Sequence, residues 1–510
     1  MKQKRGTGRK MKEQIVIINT DNKESPSGET NYTAMRQIAY QQQNERKVTV
    51  IVLAYGKIEK TKICVQNILK YVDDTPFELW LIDNGSVEND ILEFYKSIDY
   101  ESKKIIKITK NISAVFAMNA MMHSVTSEYF VFVNNDVIVT RNWLKNLLIC
   151  AESNPKIGVV CPVSTNISNN QDETLGGFDD LEEMQVKAAE FNKSNPKKWE
   201  ERLRIIPTAT LYRREIVDEV GVFDIGFLHD FGDDDYFFRV RRAGFQLIVC
   251  RDTFVHHNHN ILERDISGLE KKRSQIGREA FQKKHLGLDA WEDGANHIKE
   301  FYHYGDLGNK KWEQICILGV DTRCGTPILD VKNKLKAEGY FDFMIDAFTT
   351  DLKYYFDLNS ISDYVVHDNI STVTSQFRDK KYQFIMLGEA LNSYQKPVEV
   401  LLDLMSLIAS KGILLFHIYN TDNIYEFLWQ QGLINERISK NYQRISYDDI
   451  INELKEIPLK KLDIDLQEYP VTDEIRNFTD QMAFISLEEG REERVQNLYV
   501  MDYWFWVQKD

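Results

Sequence analysis

Apolar residues fall in short unbroken runs that alternate with amphipathic stretches along most of the chain. The run Val-Thr-Val-Ile-Val-Leu-Ala over 48–54 stops at Tyr55-Gly56 and is followed by an amphipathic stretch over 59–71. This predicts strand, loop and helix. A second run over 77–82 ends at Asp83-Asn84-Gly85-Ser86, and a helix-like stretch then reaches Ile98. Further strands are predicted over 105–108 and 129–133, the last ending at Asn134-Asn135-Asp136. Strands that are apolar on both sides and alternate with helices predict a parallel sheet with both faces covered. Ligands of such sheets gather at the carboxyl ends of the strands, where these polar residues fall.

A polar, glycine-containing stretch over 292–311 interrupts the pattern, and a fresh alternation begins at 315–319. It continues through 382–387 and 412–418 and ends with a strand-like run over 497–507. At 510 residues the chain exceeds what one core usually organises. The expected division is a flexible basic and polar extension over 1–46, an α/β domain over 47–300, a linker over 301–313 and a second α/β domain over 314–510. No apolar stretch is long enough to span a membrane, since the best candidate, 401–416, is broken by Asp403 and Lys411.

Composition narrows the function classes. A net charge of -14 argues against a generic nucleic-acid binder and leaves room for an acidic site that holds a cation. The six cysteines form no C-x-x-C pair and no zinc-like grouping, so a reduced, cytoplasmic setting is expected. Lys2, Lys4, Arg5, Arg9, Lys10 and Lys12 precede the first acidic residue, and they read as a solvated tail or as a peripheral contact with a membrane surface.

Candidate chemistry sits at the predicted strand ends. Asp83 could accept hydrogen bonds from a base or ribose edge, or serve an ordinary Asp-Asn-Gly turn. Asp136 offers the hard oxygen a divalent cation prefers, although a strand-end turn explains the same residues. Asp233-Asp234-Asp235 opens an amphipathic stretch, where three carboxylates complement a helix dipole but exceed what a cap needs. One of them could take a proton from an attacking hydroxyl. His256, His257 and His259 cluster at a further strand end and point to metal or phosphate contact.

Taken in order, these motifs resemble the family 2 glycosyltransferases, inverting enzymes of GT-A fold, over about 48–291. The first strand matches at 48–56, Asp83-Asn84-Gly85-Ser86 is similar to the uracil-contacting turn, and Asn111 and Asn119 match an N-x-G-x(5)-N pattern. Asn135-Asp136 matches the end of a DxD-type site, while Gly221-x-Phe223-Asp224 and then Asp233, Asp235 and Arg239 match the G-x-F-D and E-D-x-D-x(3)-R stretches. The resemblance implies Asp233 as general base and Asp136 as a Mn or Mg ligand. His257 would be a second ligand, with His256 and His259 as competitors. Donor contacts would come from Ala54, Tyr55, Asp83, Asn111, Asn119, Asn135, Asp235 and Arg239. The implied donor is a UDP-sugar carrying GlcNAc or glucose, and the acceptor a protein, peptide or glycan, with Ser or Thr hydroxyls or a surface-polysaccharide intermediate as the alternatives. Three positions depart from the pattern: Asn134 replaces an acid, Ser113 a glycine, and Gly232 an acid.

The second domain resembles a Rossmann-like methyltransferase, chiefly over 384–391 and 411–415. Asp321-Thr322-Arg323-Cys324-Gly325-Thr326-Pro327 stands where that class has its glycine-rich cofactor loop, and Arg323 and Pro327 oppose close approach of a ligand to the backbone. The implied domain is degenerate, does not use S-adenosylmethionine, and serves acceptor docking or homodimerisation. Asp346 and Asp368 mark its vestigial cleft. A bifunctional glycosyltransferase and methyltransferase is the alternative.

Overall fold

The structure is a computed structural model that describes residues 14–18, 47–71, 75–227, 230–258, 268–297, 314–435, 442–469, 471–485 and 497–510. The chain divides into two compact units, 1–295 and 296–510.

The first unit contains strands β1 (Gln14–Ile18), β2 (Val48–Ala54), β3 (Glu78–Asn84), β4 (Lys103–Ile108), β5 (Tyr129–Asn134), β6 (Val137–Ile138), β7 (Ile157–Ser164), β8 (Trp199–Arg202), β9 (Ala209–Arg213) and β10 (Gln246–His257). They form one sheet in the order β1-β4-β3-β2-β5-β9-β7-β10-β6, with β8 beside β10. Pairing is parallel from β1 through β5 and between β7 and β10, and antiparallel where β9, β8 and β6 join. The expected α/β class with mostly parallel sheets is observed. Within the stretch expected to be a flexible extension, 14–18 instead adds a parallel strand beside β4, with Ile18 buried.

Alternation along each central strand feeds two cores, one on each face. Val48, Val50, Val52, Leu79, Leu81, Tyr129 and Val131 enter one core. Ile51, Trp80, Ile82, Phe130 and Phe132 enter the other. Helices α1 (Ile58–Lys70), α2 (Asp90–Ser97) and α4 (Trp143–Ser153) bring Cys64, Ile68, Ile91, Tyr95, Trp143 and Leu147 to the first core. Helices α3 (Ala114–Ser124) and α5 (Gly232–Arg242) bring Phe116, Met121, Tyr236, Phe237 and Val240 to the second. Helix α6 (Gly268–Lys284) follows β10. The layering is therefore helix, sheet, helix. It leaves the carboxyl ends of β2, β3, β4, β5, β7 and β10 on one edge.

The second unit holds β11 (Ile315–Val320), β12 (Phe343–Thr349), β13 (Tyr364–His367), β14 (Tyr382–Leu387), β15 (Ile408–Tyr419), β16 (Leu459–Glu468) and β17 (Val500–Lys509), ordered β13-β12-β11-β14-β15-β17-β16. Its first five strands are parallel, in the doubly wound order, and β17 is inserted antiparallel against β15. Helices α7 (Thr326–Glu338) and α8 (Pro397–Leu407) follow β11 and β14. No helix among the described residues is long and apolar enough to cross a membrane.

Candidate active site

The carboxyl edge of the first sheet is drawn together by a turn that only glycine fits. Gly85 has φ +83°, and a Cβ there would lie 2.1 Å from the backbone nitrogen of Asn111. The loops after β3 and β4 are thereby packed backbone to backbone. Beneath them Asp83 is wholly buried, with Oδ1 accepting from the Ser86 N–H at 2.9 Å and Oδ2 from Lys107 Nζ at 2.6 Å. The Ser86 hydroxyl accepts from the Gly56 N–H at 3.0 Å, which ties the loop after β2 to the same turn. Ala54 is buried at the end of β2, and Tyr55 projects half-exposed. Asn111 is exposed and accepts from the Ser113 N–H at 2.7 Å. Ser113 itself has φ +72°, a conformation that a glycine adopts without strain and a serine does not.

The short ladder between β6 and β10 separates two of the three clustered histidines. It pairs His257 with Val137 and His256 with Ile138, so Asp136 and His257 meet with Nε2 3.5 Å from Oδ1. The Asn258 N–H also donates to the Asp136 carbonyl at 2.8 Å. Burial pushes the Asp136 carboxyl up, but His257, Lys57 and Lys60 outweigh it and hold the group below its ordinary value. Asn135 lies beside it, donating to the Thr61 hydroxyl at 3.0 Å. His256 points the other way, as neighbours on a strand must. Its Nδ1 lies 2.6 Å from the Thr165 hydroxyl and its ring is edge-on to Phe178. Burial, assisted by the charge of His257, lowers its pKa to about 4. His259 lies outside the described residues.

The third cluster opens α5, and its three carboxylates have three different fates. Asp235 is wholly buried, with Arg239 Nε 3.0 Å away and Lys284 Nζ and His285 Nε2 at 2.7 and 2.8 Å. Although burial opposes ionisation, the bonds from His285 and Lys284, with the charge of Arg239, hold its pKa at about 2. Arg242 donates to His285 Nδ1 at 2.9 Å, so that nitrogen accepts and the ring hydrogen sits on Nε2, directed at Asp235. Asp234 is buried against Arg204, with contacts of 2.7 and 3.3 Å, and accepts from the Trp291 indole at 3.1 Å. Asp233 is partly exposed and makes no ion pair of this kind among the described residues. Desolvation and the neighbouring Asp234 charge raise its pKa to about 7 against the opposing pull of Arg204. It is the carboxylate of the three suited to accept a proton near neutrality.

Besides Asp83, whose two oxygens are taken by Ser86 and Lys107, three residues expected as donor contacts are used elsewhere. Asn119 is wholly buried and pinned to the backbone of Phe223, donating to its carbonyl at 2.8 Å and accepting from its N–H at 3.0 Å. Arg239 spends its guanidinium on Asp235 and on the carbonyls of Val220 and Val222 at 3.1 and 2.8 Å. Asp235 is closed off within the same network. These groups tie α3, the Gly221–Phe223 loop, α5 and α6 together, so they frame the edge rather than face it. Lys57, Lys60, Arg204, Lys284, His285 and Trp291 were absent from the expected site. Only Lys57 and Lys60 carried a usable signal, two cations directly after the loop that ends the first strand.

In the second unit the loop over 321–325 places Asp321 and Arg323 at φ 48° and 53°, with Gly325 at 101°. Asp321 is buried, and its oxygens accept from Thr350 N–H at 2.6 Å and from the Tyr394 hydroxyl at 2.6 Å. Arg323 faces Glu389 at 3.5 Å. The loop's carboxylate is thus paired within the protein, and the Arg323 side chain lies against Glu389. Asp346 is buried against Lys380 and Tyr382, and Asp368 caps a local turn with its Oδ1 on the Asn369 N–H.

Among solved structures, the chain is similar to a mannosyltransferase from Pyrobaculum calidifontis in complex with GDP-Man and Mn2+, at 16% identity and TM-score 0.36, covering 55% of this chain and 79% of that one. GalNAc-T7 with UDP, GalNAc and Mn2+ is similar at 11% identity and TM-score 0.38, over 68% of this chain and 63% of that one. A SAM dependent methyltransferase from Archaeoglobus fulgidus is similar at 14% identity and TM-score 0.31, over 45% of this chain and 99% of that one. All three likenesses are remote. The uncharacterized protein y4gI of Sinorhizobium fredii (strain NBRC 101917 / NGR234) is 24% identical over 242 residues, 46% of this chain, and the match spans 26% of that relative's length. Residues 49–221 match the family model for Glycosyl transferase family 2, and that match supports sugar transfer as the activity of the first unit.

Proposed function

We propose that the first unit is an inverting transferase that moves a sugar, GlcNAc or glucose, from a UDP-sugar to an acceptor hydroxyl. The observation that carries this reading is the meeting of Asp136 and His257 on the edge where the strands end, with a second, proton-avid carboxylate, Asp233, opening α5. A carboxylate oxygen and an imidazole nitrogen 3.5 Å apart, the carboxylate held ionised, form a donor set suited to Mn or Mg, with the diphosphate supplying further oxygens. A cation held there would offset the charge of the departing diphosphate. Lys57 and Lys60 add positive charge to the same corner, Lys60 being fixed by donation to the Asn258 carbonyl at 2.9 Å. Asp233 accepts the acceptor's hydroxyl proton as the oxygen attacks the anomeric carbon. Attack from the face opposite the leaving group inverts that carbon. Proton NMR of the product therefore should show a β linkage formed from an α-linked donor, and an α linkage would contradict the proposal.

For the second unit we propose a non-catalytic role, supported by the side chains that fill the loop over 321–325. Isothermal titration with S-adenosylmethionine should give no heat of binding. Micromolar binding that disappears in Gly325→Ala would establish the bifunctional alternative.

A further inference from the structure

We propose that Trp291 is a stacking platform for a sugar ring of the acceptor, which makes the acceptor a saccharide; this rests on the transferase reading above. Trp291 is 42% exposed, and single exposed apolar residues are common. What sets this one apart is how many contacts fix it. One ring face stacks on Phe231 with centroids 4.6 Å apart and planes 19° from parallel. Its indole N–H donates to Asp234 at 3.1 Å, and its backbone N–H to Asp289 Oδ1 at 2.9 Å. Phe231 is itself buried and packed against α6, where a Cβ on Gly277 would lie 3.0 Å from its ring. The remaining accessible area of the indole is thus its second face and outer edge, held rigid before any ligand arrives.

The position matters as much as the rigidity. Asp234, to which the indole is bonded, follows Asp233 in the same helical turn, and Arg204 feels the charges of Asp234, Asp233 and Asp289 together. The platform therefore stands beside the proposed base. A pyranose presents a face of C–H groups, which suits an open aromatic plane, and a rim of hydroxyls, which donate to carboxylates. On the same turn Arg278 pairs with both Asp289 and the exposed Glu292.

Kinetics on neutral oligosaccharides, anionic saccharides and Ser/Thr peptides test this with wild type, Trp291→Ala and Trp291→Phe. An oligosaccharide should be a better acceptor than the peptide. Trp291→Ala should raise the acceptor KM about tenfold, with little change in donor KM, and Trp291→Phe should recover most of the loss. A best acceptor that is a peptide, or equal shifts in donor and acceptor KM, overturns the proposal. Saturation-transfer NMR with the oligosaccharide separates it from the transferase reading. Binding lost in Trp291→Ala without any donor turnover in wild type upholds the platform and removes the transferase, whereas no binding to wild type removes the platform.

Discussion

Asp233→Asn is expected to lower kcat by about 100- to 10,000-fold without lowering the melting temperature. The amide cannot accept the proton that the carboxylate takes, so the step assigned to it fails. The stability side follows from the direction of the pKa shift. Asp233 is raised from 3.8 to about 7, so the folded chain binds this proton more tightly than the unfolded one. The charged carboxylate is thus a burden on the fold that grows as pH rises from about 4 towards 7, and the neutral amide is free of it. In wild type, kcat/KM should climb with pH towards about 7 as Asp233 ionises and then level off. A pH-rate profile and a thermal melt check both halves. Full activity in the variant, or a lower melting temperature that accounts for the loss, would contradict the assignment.

The second large effect is expected at the β6–β10 ladder. Asp136→Asn removes the carboxylate of the pair and should cut donor turnover by about 100-fold or more, and His257→Ala by about 10- to 100-fold. Nucleotide binding measured by calorimetry should tighten with Mn in wild type and lose that response in Asp136→Asn. His256→Ala should behave differently, since His256 holds Thr165 at 2.6 Å and faces away from Asp136. It should lower thermal stability by about 1 kcal/mol, the worth of an ordinary buried hydrogen bond. Equal losses of metal response in the two histidine variants would contradict the separation read from strand alternation.

Much of this arrangement was legible because it depends on local pattern. Unbroken apolar runs alternating with amphipathic stretches pointed to the sheet, and strand ends located Asp83, Asn135 and Asp136. What stayed hidden depends on pairing between distant segments. A two-residue strand such as Val137–Ile138 has no periodicity to detect, yet its register with His256–His257 sets which of these two histidines meets Asp136. Asn119, Asp235 and Arg239 looked like ligand contacts because polar residues in an ordered motif can face a ligand or hold the frame, and sequence does not distinguish the two. The structure pairs Asn119 with Phe223, 104 positions away, and Asp235 with His285, 50 positions away. In the same way Trp291 reads as the end of a domain until its indole is seen on Asp234.

The most direct measurement is the release of nucleoside diphosphate from a panel of UDP- and GDP-sugars with Mn, using wild type beside Asp233→Asn and Asp136→Asn. The account predicts that wild type turns over a UDP-sugar, that EDTA suppresses this, and that both variants fall by about 100-fold or more while remaining folded. Turnover of no nucleotide sugar by folded wild-type protein, or turnover that persists unchanged in both variants, would contradict it.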